Sequence, residues 1–309
     1  MNEEIEFSRE HGGGAGRGAA CVFTLQQQEK ALQAGVALRR GRVVHAPDGE
    51  FGTSIGAYHA AACSAGLLPE LEQAYRSIRR KRDVMRLDLN PFDGDGIGWD
   101  LDEFDELVAR YGIGEGMKRP TWVGVVHIPT WDAPNVETLT RPGHRLVRID
   151  NLDAKTARIW MRRSATQQPF HKPADPDGDD WMDGGASAVL PPSDDVCPNL
   201  SEVWSVACSP LTYAQRTIQA PRRGRGPWRV PVAALEILVD TNVQLDRLRL
   251  TRLAARGVAV RGWWPPTLDE VREPFDLSRD TTVHRLDVVG PRVWKNRHTF
   301  TANGPRRDR

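Results

Sequence analysis

The sequence predicts an α/β domain of three layers, α/β/α, built on a mostly parallel central sheet. Three observations carry that expectation. Short apolar runs of strand length alternate with stretches of helical periodicity through the first half of the chain, the order from which parallel sheets are wound. Two of the predicted strands run into glycine-rich turns, His11-Gly12-Gly13-Gly14-Ala15-Gly16-Arg17-Gly18 and Phe51-Gly52-Thr53-Ser54-Ile55-Gly56, each followed by small residues that open a helix. Finally, 309 residues with 39% hydrophobic content are ample for one large core. A single domain over 1–309 is expected, with a core at about 5–210, a more helical part at 211–300 and a basic tail at 301–309.

Taken in order, Ile5 and Phe7 alternate with charged residues and read as a first strand. Consecutive glycines after it reach positive φ and turn several N–H groups toward one point, which makes a cradle for an anion. A helix is expected over 20–38, on Val22, Leu25, Leu32 and Val36, and a strand over 42–46. The next turn has the G-x-S-x-G form, with Gly52 and Gly56 flanking Ser54. In such an elbow the serine takes a backbone conformation few side chains tolerate, and bulkier neighbours would collide with strand or helix. Its hydroxyl then lies at the positive end of the following helix.

Helical spacing continues over 67–78 and ends in the basic cluster Arg76-Ser77-Ile78-Arg79-Arg80-Lys81-Arg82, read as a solvated face, with contact to anionic headgroups as the sharper alternative. A turn-rich loop at 90–98 precedes an amphipathic helix at 100–111 that turns Leu101, Phe104, Leu107 and Val108 inward. Residues 122–128 are the clearest buried strand, and 143–149 read as its antiparallel partner. From 167 to 192 the chain is loop-like and contains Trp181-Met182-Asp183-Gly184-Gly185. A strand at 203–208, an exposed connection at 220–227, a long helix at 232–255, a last strand at 258–260 and a frayed end at 304–309 complete the expectation.

Composition narrows the function. With 42 basic and 41 acidic residues the formal net charge is +1, which argues against a nucleic-acid binder. Cys21, Cys63, Cys197 and Cys208 have no C-x-x-C spacing and read as buried free thiols, with neither zinc site nor disulfide framework implied. Residues 1–6 lack the basic and apolar regions of a signal peptide, and no apolar run approaches the roughly 20 residues of a membrane helix. The expectation is a cytoplasmic protein without transmembrane segment, metal or cofactor, with peripheral work at a membrane surface left open.

Acyl transfer needs a nucleophile, a base for its proton and donors aimed at the oxyanion. Ser54, Asp183 and the backbone of Gly13 to Gly16 offer one of each. The order of these parts resembles the patatin-like phospholipase family, whose glycine loop reads G-G-G-x-R/K-G, whose elbow reads G-x-S-x-G and whose base lies in D-G-G or D-G-A. The stretches 163–173, small residues with Pro and an aromatic, and 183–191, D-G-G with a proline a few residues on, are similar as well. The resemblance covers about 5–210. Two features depart from it: the glycine loop is one residue longer before Arg17, and the segment Pro47-Asp48-Gly49-Glu50-Phe51 is more polar than the family's strand.

The resemblance implies a serine–aspartate dyad of Ser54 and Asp183 without a catalytic histidine. It implies an oxyanion hole drawn from Gly12, Gly13, Gly14, Ala15, Gly16, Arg17 and Gly18, motif glycines Gly52, Gly56, Gly184 and Gly185, and lipid esters (phospholipids, lysophospholipids or other long-chain esters) as substrates. Trp131, Phe170 and Trp181 are candidates for an acyl pocket or a membrane contact, with packing as the alternative. Three other readings stay open. His11-Gly12-Gly13-Gly14 also resembles the loop of hormone-sensitive-lipase-like α/β-hydrolases, in which His284 or His298 would serve as base. Gly14 to Ala19 fits a G-x-G-x-x-A nucleotide loop, although the strand at 42–46 ends without the acidic residue such a site wants. A protein that keeps the fold but has lost hydrolysis is the third. His59, His127, His144 and His171 are read as packing or surface residues.

Overall fold

The computed structural model describes residues 4–35, 38–39, 42–88, 98–130, 143–167, 171–174, 180–211, 229–267 and 277–308. Strand β1 (Phe7–His11) passes through a 3-10 turn at Ala15–Gly18 into α1 (Ala19–Gln33). A two-stranded ribbon, β2 (Leu38–Arg39) with β3 (Arg42–Val43), precedes β4 (Gly49–Thr53), α2 (Ile55–Ala65) and α3 (Leu68–Ser77). A second ribbon, β5 (Arg86–Asp88) with β6 (Gly98–Asp100), leads to α4 (Asp102–Arg110), β7 (Thr121–His127), β8 (His144–Arg148) and α5 (Ala154–Ala165). Then come β9 (Trp181–Asp183), β10 (Glu202–Val206), α6 (Arg229–Ala255) and β11 (Ala259–Trp263). Helices α7 (Arg279–His284) and α8 (Gly290–Lys295), joined by a π-helical stretch, precede β12 (Arg297–Thr301) and β13 (Gly304–Arg307).

The central sheet has nine strands in the order β13-β12-β11-β10-β1-β4-β7-β8, with β9 also paired to β7. It is mixed, and this corrects the mostly parallel sheet expected. Strands β11, β10, β1, β4 and β7 run parallel, while β12, β13, β8 and β9 are antiparallel to their neighbours. The connections explain the division. Parallel neighbours need a long crossover, and α1, the α2–α4 segment and α6 supply it for β1–β4, β4–β7 and β10–β11. Strands β12 and β13 are joined by two residues, which permits only a hairpin.

Strand side chains alternate between two cores. Phe7, Trp204, Val206 and Trp263 pack with residues of α1, α2, α3 and α8, including Leu25, Tyr58, Leu71 and Val293. Val203, Val260 and Phe300 pack instead with Val243, Leu250 and Leu253 of α6. Helices therefore flank the sheet.

Several expectations move. The strand predicted at 42–46 is only the edge of a ribbon, and the central strand is β4, built from the segment that read as too polar. Its Glu50 is fully buried because Arg9 and Arg119 pair with its carboxylate and His11 bonds to it. The first helix stops at Gln33 rather than 38, and α5 replaces part of what had no predicted element. The strand after α6 is not the last, because β12 and β13 extend the sheet and the tail at 304–307 is ordered as β13. The part after 211 is thus continuous with the same sheet as β1. Strand β8 pairs antiparallel with β7 as predicted, and all four cysteines are free and buried. The connection at 220–227 and residues 90–97 of the expected loop lie outside the described residues. Among the described residues no helix is long and apolar enough to cross a membrane.

Candidate active site

The register of β7 brings the predicted dyad together. Strand β8 covers one edge of β7 from Trp122 to Val126. Strand β9 pairs with Val125, Val126 and His127, so it must use the other edge, which β4 occupies from Thr121 to Gly124. The two strands meet end to end along that edge: Thr53 lies beside Gly124, and Asp183 beside Val125. Ser54 is the next residue after Thr53, and its hydroxyl comes near enough to the Asp183 carboxyl to favour the ionised form. Ser54 is 5% exposed and Asp183 1%.

Ser54 has φ 56° and ψ −129°, and it is the single non-glycine residue with positive φ among those described. Close approach at two glycines makes the turn possible. A Cβ on Gly52 would sit 2.2 Å from the Gly56 carbonyl oxygen, and one on Gly56 would sit 2.1 Å from that of His11. The turn is pinned from below. The Ser54 N–H donates to Ser164 Oγ at 2.8 Å, and that hydroxyl donates to the Gly124 carbonyl at 2.6 Å. Because α2 starts at Ile55, the hydroxyl lies at the helix's positive end.

The glycine loop leaves β1 beside this turn, and a Cβ on Gly13 would lie 2.9 Å from that of Ser54. The N–H groups of Gly12 and Gly13 donate to the carbonyls of Val206 and Val189, at 2.8 and 3.0 Å. Those two amides therefore clamp the loop and do not face the hydroxyl. The Arg17 N–H folds back to the Gly14 carbonyl and opens the 3-10 turn. In any such turn the first N–H groups have no partner inside it, which here means those of Gly14, Ala15 and Gly16. The extra residue before Arg17 is absorbed into this turn. Arg17 is buried, with Nη1 3.3 Å from Ser209 Oγ, and Gly18 leads into α1.

Burial pushes the Asp183 carboxyl up from 3.8 to about 6, although the Gly185 N–H, the Ser54 hydroxyl and the Gln167 amide each pull it back. The Gly185 N–H reaches Oδ1 at 2.7 Å and Gln167 Nε2 reaches Oδ2 at 3.1 Å. Gly184 sits so close to Gly124 that a Cβ would lie 2.3 Å from its carbonyl oxygen, which is why D-G-G suits this turn. The outer side of the turn is held by α6, whose Asn242 donates to the Gly185 carbonyl and whose Asp246 accepts the Leu190 N–H.

Ser54 opens into an apolar cleft lined by Ile55, Ile78, Met85, Leu101, Phe104 and Leu277, with Tyr75, Gln167 and His171 as its polar members. It encloses a cavity of about 50 Å³. His171 is buried and its Nδ1 accepts the Gln167 N–H at 2.9 Å, while burial followed by the nearby Lys81 charge pushes the ring down to about 4. Ser164, Gln167 and His171 were missed as site residues. The stretch 163–173 stood out in sequence, but nothing in it distinguishes a side chain that bonds Asp183 from one that faces solvent.

Other predicted residues lie elsewhere. His298 is on β12, four strand spacings from β4, or roughly 19 Å at the usual interstrand distance. His284 is exposed on α7. Trp181 packs edge-on to Trp160 and tilted on His127, outside the lining of the cleft. Trp131 and Phe170 lie outside the described residues. The strand that the dinucleotide reading required at 42–46 is a two-residue ribbon edge and does not join the sheet. One group of metal-ligand type occurs among the described residues, His11, Glu50 and Cys63. Its carboxylate is taken by two guanidiniums, so the cluster reads as an ion pair within the core.

No protein-family model matches the chain, and no curated protein matches its sequence. The functional reading therefore stands on the site.

Proposed function

We propose that this protein is a serine hydrolase of lipid esters that works through a Ser54–Asp183 dyad, in the manner of the patatin-like phospholipases it resembles. The observation that carries this reading is a strained serine that lines an apolar cleft and whose hydroxyl lies near a buried carboxyl. An ordinary βα turn has no need of any of these features, and backbone strain persists only where the surroundings enforce it.

In the proposed reaction Ser54 Oγ attacks the ester carbonyl carbon and Asp183 accepts the hydroxyl proton. The amides of Gly14, Ala15 and Gly16 receive the oxyanion, a contribution worth roughly 10²–10³ in rate per donor. As the tetrahedral intermediate collapses, the bond to the leaving alcohol breaks and Asp183 returns the proton to that oxygen. Water then cleaves the acyl-enzyme. The cleft receives the acyl chain; its apolar lining suits a hydrocarbon, and Gln167 among its polar members bonds Asp183. Work at a membrane surface belongs to this proposal.

The test is a fluorophosphonate probe together with p-nitrophenyl esters from butyrate to palmitate and vesicles of phospholipid or lysophospholipid. Ser54→Ala should lose labelling and hydrolysis while its melting temperature stays within a few degrees of the parent. Hydrolysis that survives in Ser54→Ala, or folded parent protein that neither labels nor hydrolyses, would remove the assignment.

A further inference from the structure

Gln167 is bound more elaborately than a spacer in a loop requires. Its backbone N–H donates to His171 Nδ1, and its carbonyl accepts the His171 N–H at 3.0 Å, so the residue is held at both ends of its peptide unit. Gln167 is among the residues that line the cleft Ser54 opens into. The amide has a defined orientation. An ionised carboxylate only accepts, so the end that lies 3.1 Å from Asp183 Oδ2 must be the NH₂ group. The oxygen Oε1 therefore points away from Asp183, and it is buried with no partner among the described residues. An orphaned buried acceptor carries an uncompensated desolvation cost, which a donor placed against it would relieve. The cavity of about 50 Å³ that Gln167 helps to line exceeds the roughly 10–15 Å³ one water needs.

From this juxtaposition we infer that Gln167 positions the water that hydrolyses the acyl-enzyme, an assignment that rests on the dyad proposed above. Once Ser54 carries the acyl group it has no hydroxyl proton to offer Asp183, and the carboxylate is free to accept from water. A water molecule has two O–H donors. One meets Asp183 and the other meets Gln167 Oε1, which leaves an oxygen lone pair for the carbonyl carbon. The water oxygen bonds to that carbon as Asp183 takes one proton. The carbon–Oγ bond then breaks, the proton passes from Asp183 to Ser54 Oγ, and a carboxylic acid departs. Acylation uses no water, so it needs Gln167 only to steady Asp183.

This separates the two half-reactions. In Gln167→Met, which keeps the length of the side chain but neither polar end, deacylation should slow roughly 10²-fold, in the range of a lost acid–base arrangement, and acylation by about tenfold or less. Stopped-flow release of p-nitrophenol at pH 8 should then show a burst near one equivalent per enzyme. Intact mass should reveal the acyl adduct, absent from Gln167→Met/Ser54→Ala. Gln167→Leu serves as a second apolar variant should the first fail to fold. Equal slowing of both steps, or turnover without a burst in a folded variant, would overturn the inference and leave the dyad standing. A parent protein without Ser54-dependent turnover would overturn the dyad first, and with it this assignment.

Discussion

Asp183 sets the pH at which the proposed site works. Its carboxyl stands at about 6 chiefly because it is buried, against an ordinary value of 3.8. A base must be ionised, so kcat/KM for ester hydrolysis should rise with pH and level off above about 6. A profile already flat from pH 4.5 upward would contradict the role. The seat of Ser54 can be tested separately. Ser164→Ala removes the acceptor of the Ser54 N–H, leaving a buried donor unpaired, and should lower kcat about tenfold with KM little changed. Ser54 and Asp183 were legible in the sequence because each sits among glycines whose absence would make the local backbone impossible. Ser164 and Gln167 were not legible, because their meaning comes from contacts with Gly124, Ser54 and Asp183 that no local pattern encodes.

Among the elements, β4 holds the elbow through a charge inside the sheet. Burial by itself would raise the Glu50 carboxyl, but Arg9, Arg119 and His11 outweigh it and hold the group below its ordinary 4.5. Breaking a buried pair on one side leaves a charge uncompensated, so Glu50→Gln should cost roughly 3–5 kcal/mol in urea unfolding. Because the folded-state value is depressed, this stabilisation is complete above 4.5 and fades as the pH falls below it. His59 acts with the same sign, since burial first and the His11 charge next push it from 6.5 to about 3. Stability should therefore drop on acidification, with Glu50→Gln showing the shallower slope; a steeper slope would contradict the pairing. The polar segment before the elbow was readable as an oddity. Its explanation was not, because Arg9 and Arg119 lie about 40 and 70 residues away in sequence.

The dimensions of the whole molecule favour the proposed dyad over a triad. His298 sits four strands from β4 and His284 is exposed, so neither reaches a buried Ser54 in this fold. His298→Ala and His284→Ala should each keep ester hydrolysis within about twofold, a surface-type effect in free energy. Loss of activity in a folded variant of either would reopen the triad. The sheet also shows why its mixed character escaped the sequence. Alternation of strands and helices signals parallel pairs, and it did so for β1, β7, β10 and β11, whereas the strand expected at 42–46 is replaced in the sheet by β4. The edge strands β12 and β13 are short, polar and basic, with Phe300 as the one large apolar residue in them, so they carry little periodic signal.

By itself the sequence determined several local conformations: which turns must be tight, where a serine would be strained, that the runs of α1, α3, α4 and α6 are helical, and that one hydroxyl motif and one carboxyl motif of acyl-transfer type share the chain. These are consequences of sterics within a few residues, and a few residues suffice to read them. Only the tertiary structure decided that β9 takes up the edge of β7 where β4 leaves off, which sets Asp183 against Ser54 across some 130 residues of chain. It also decided which loop amides are spent, and that Gln167 turns the NH₂ end of its amide to the base and leaves the oxygen buried without a partner among the described residues. Pairing register and side-chain burial arise from many distant contacts formed together, and no single stretch of sequence contains them.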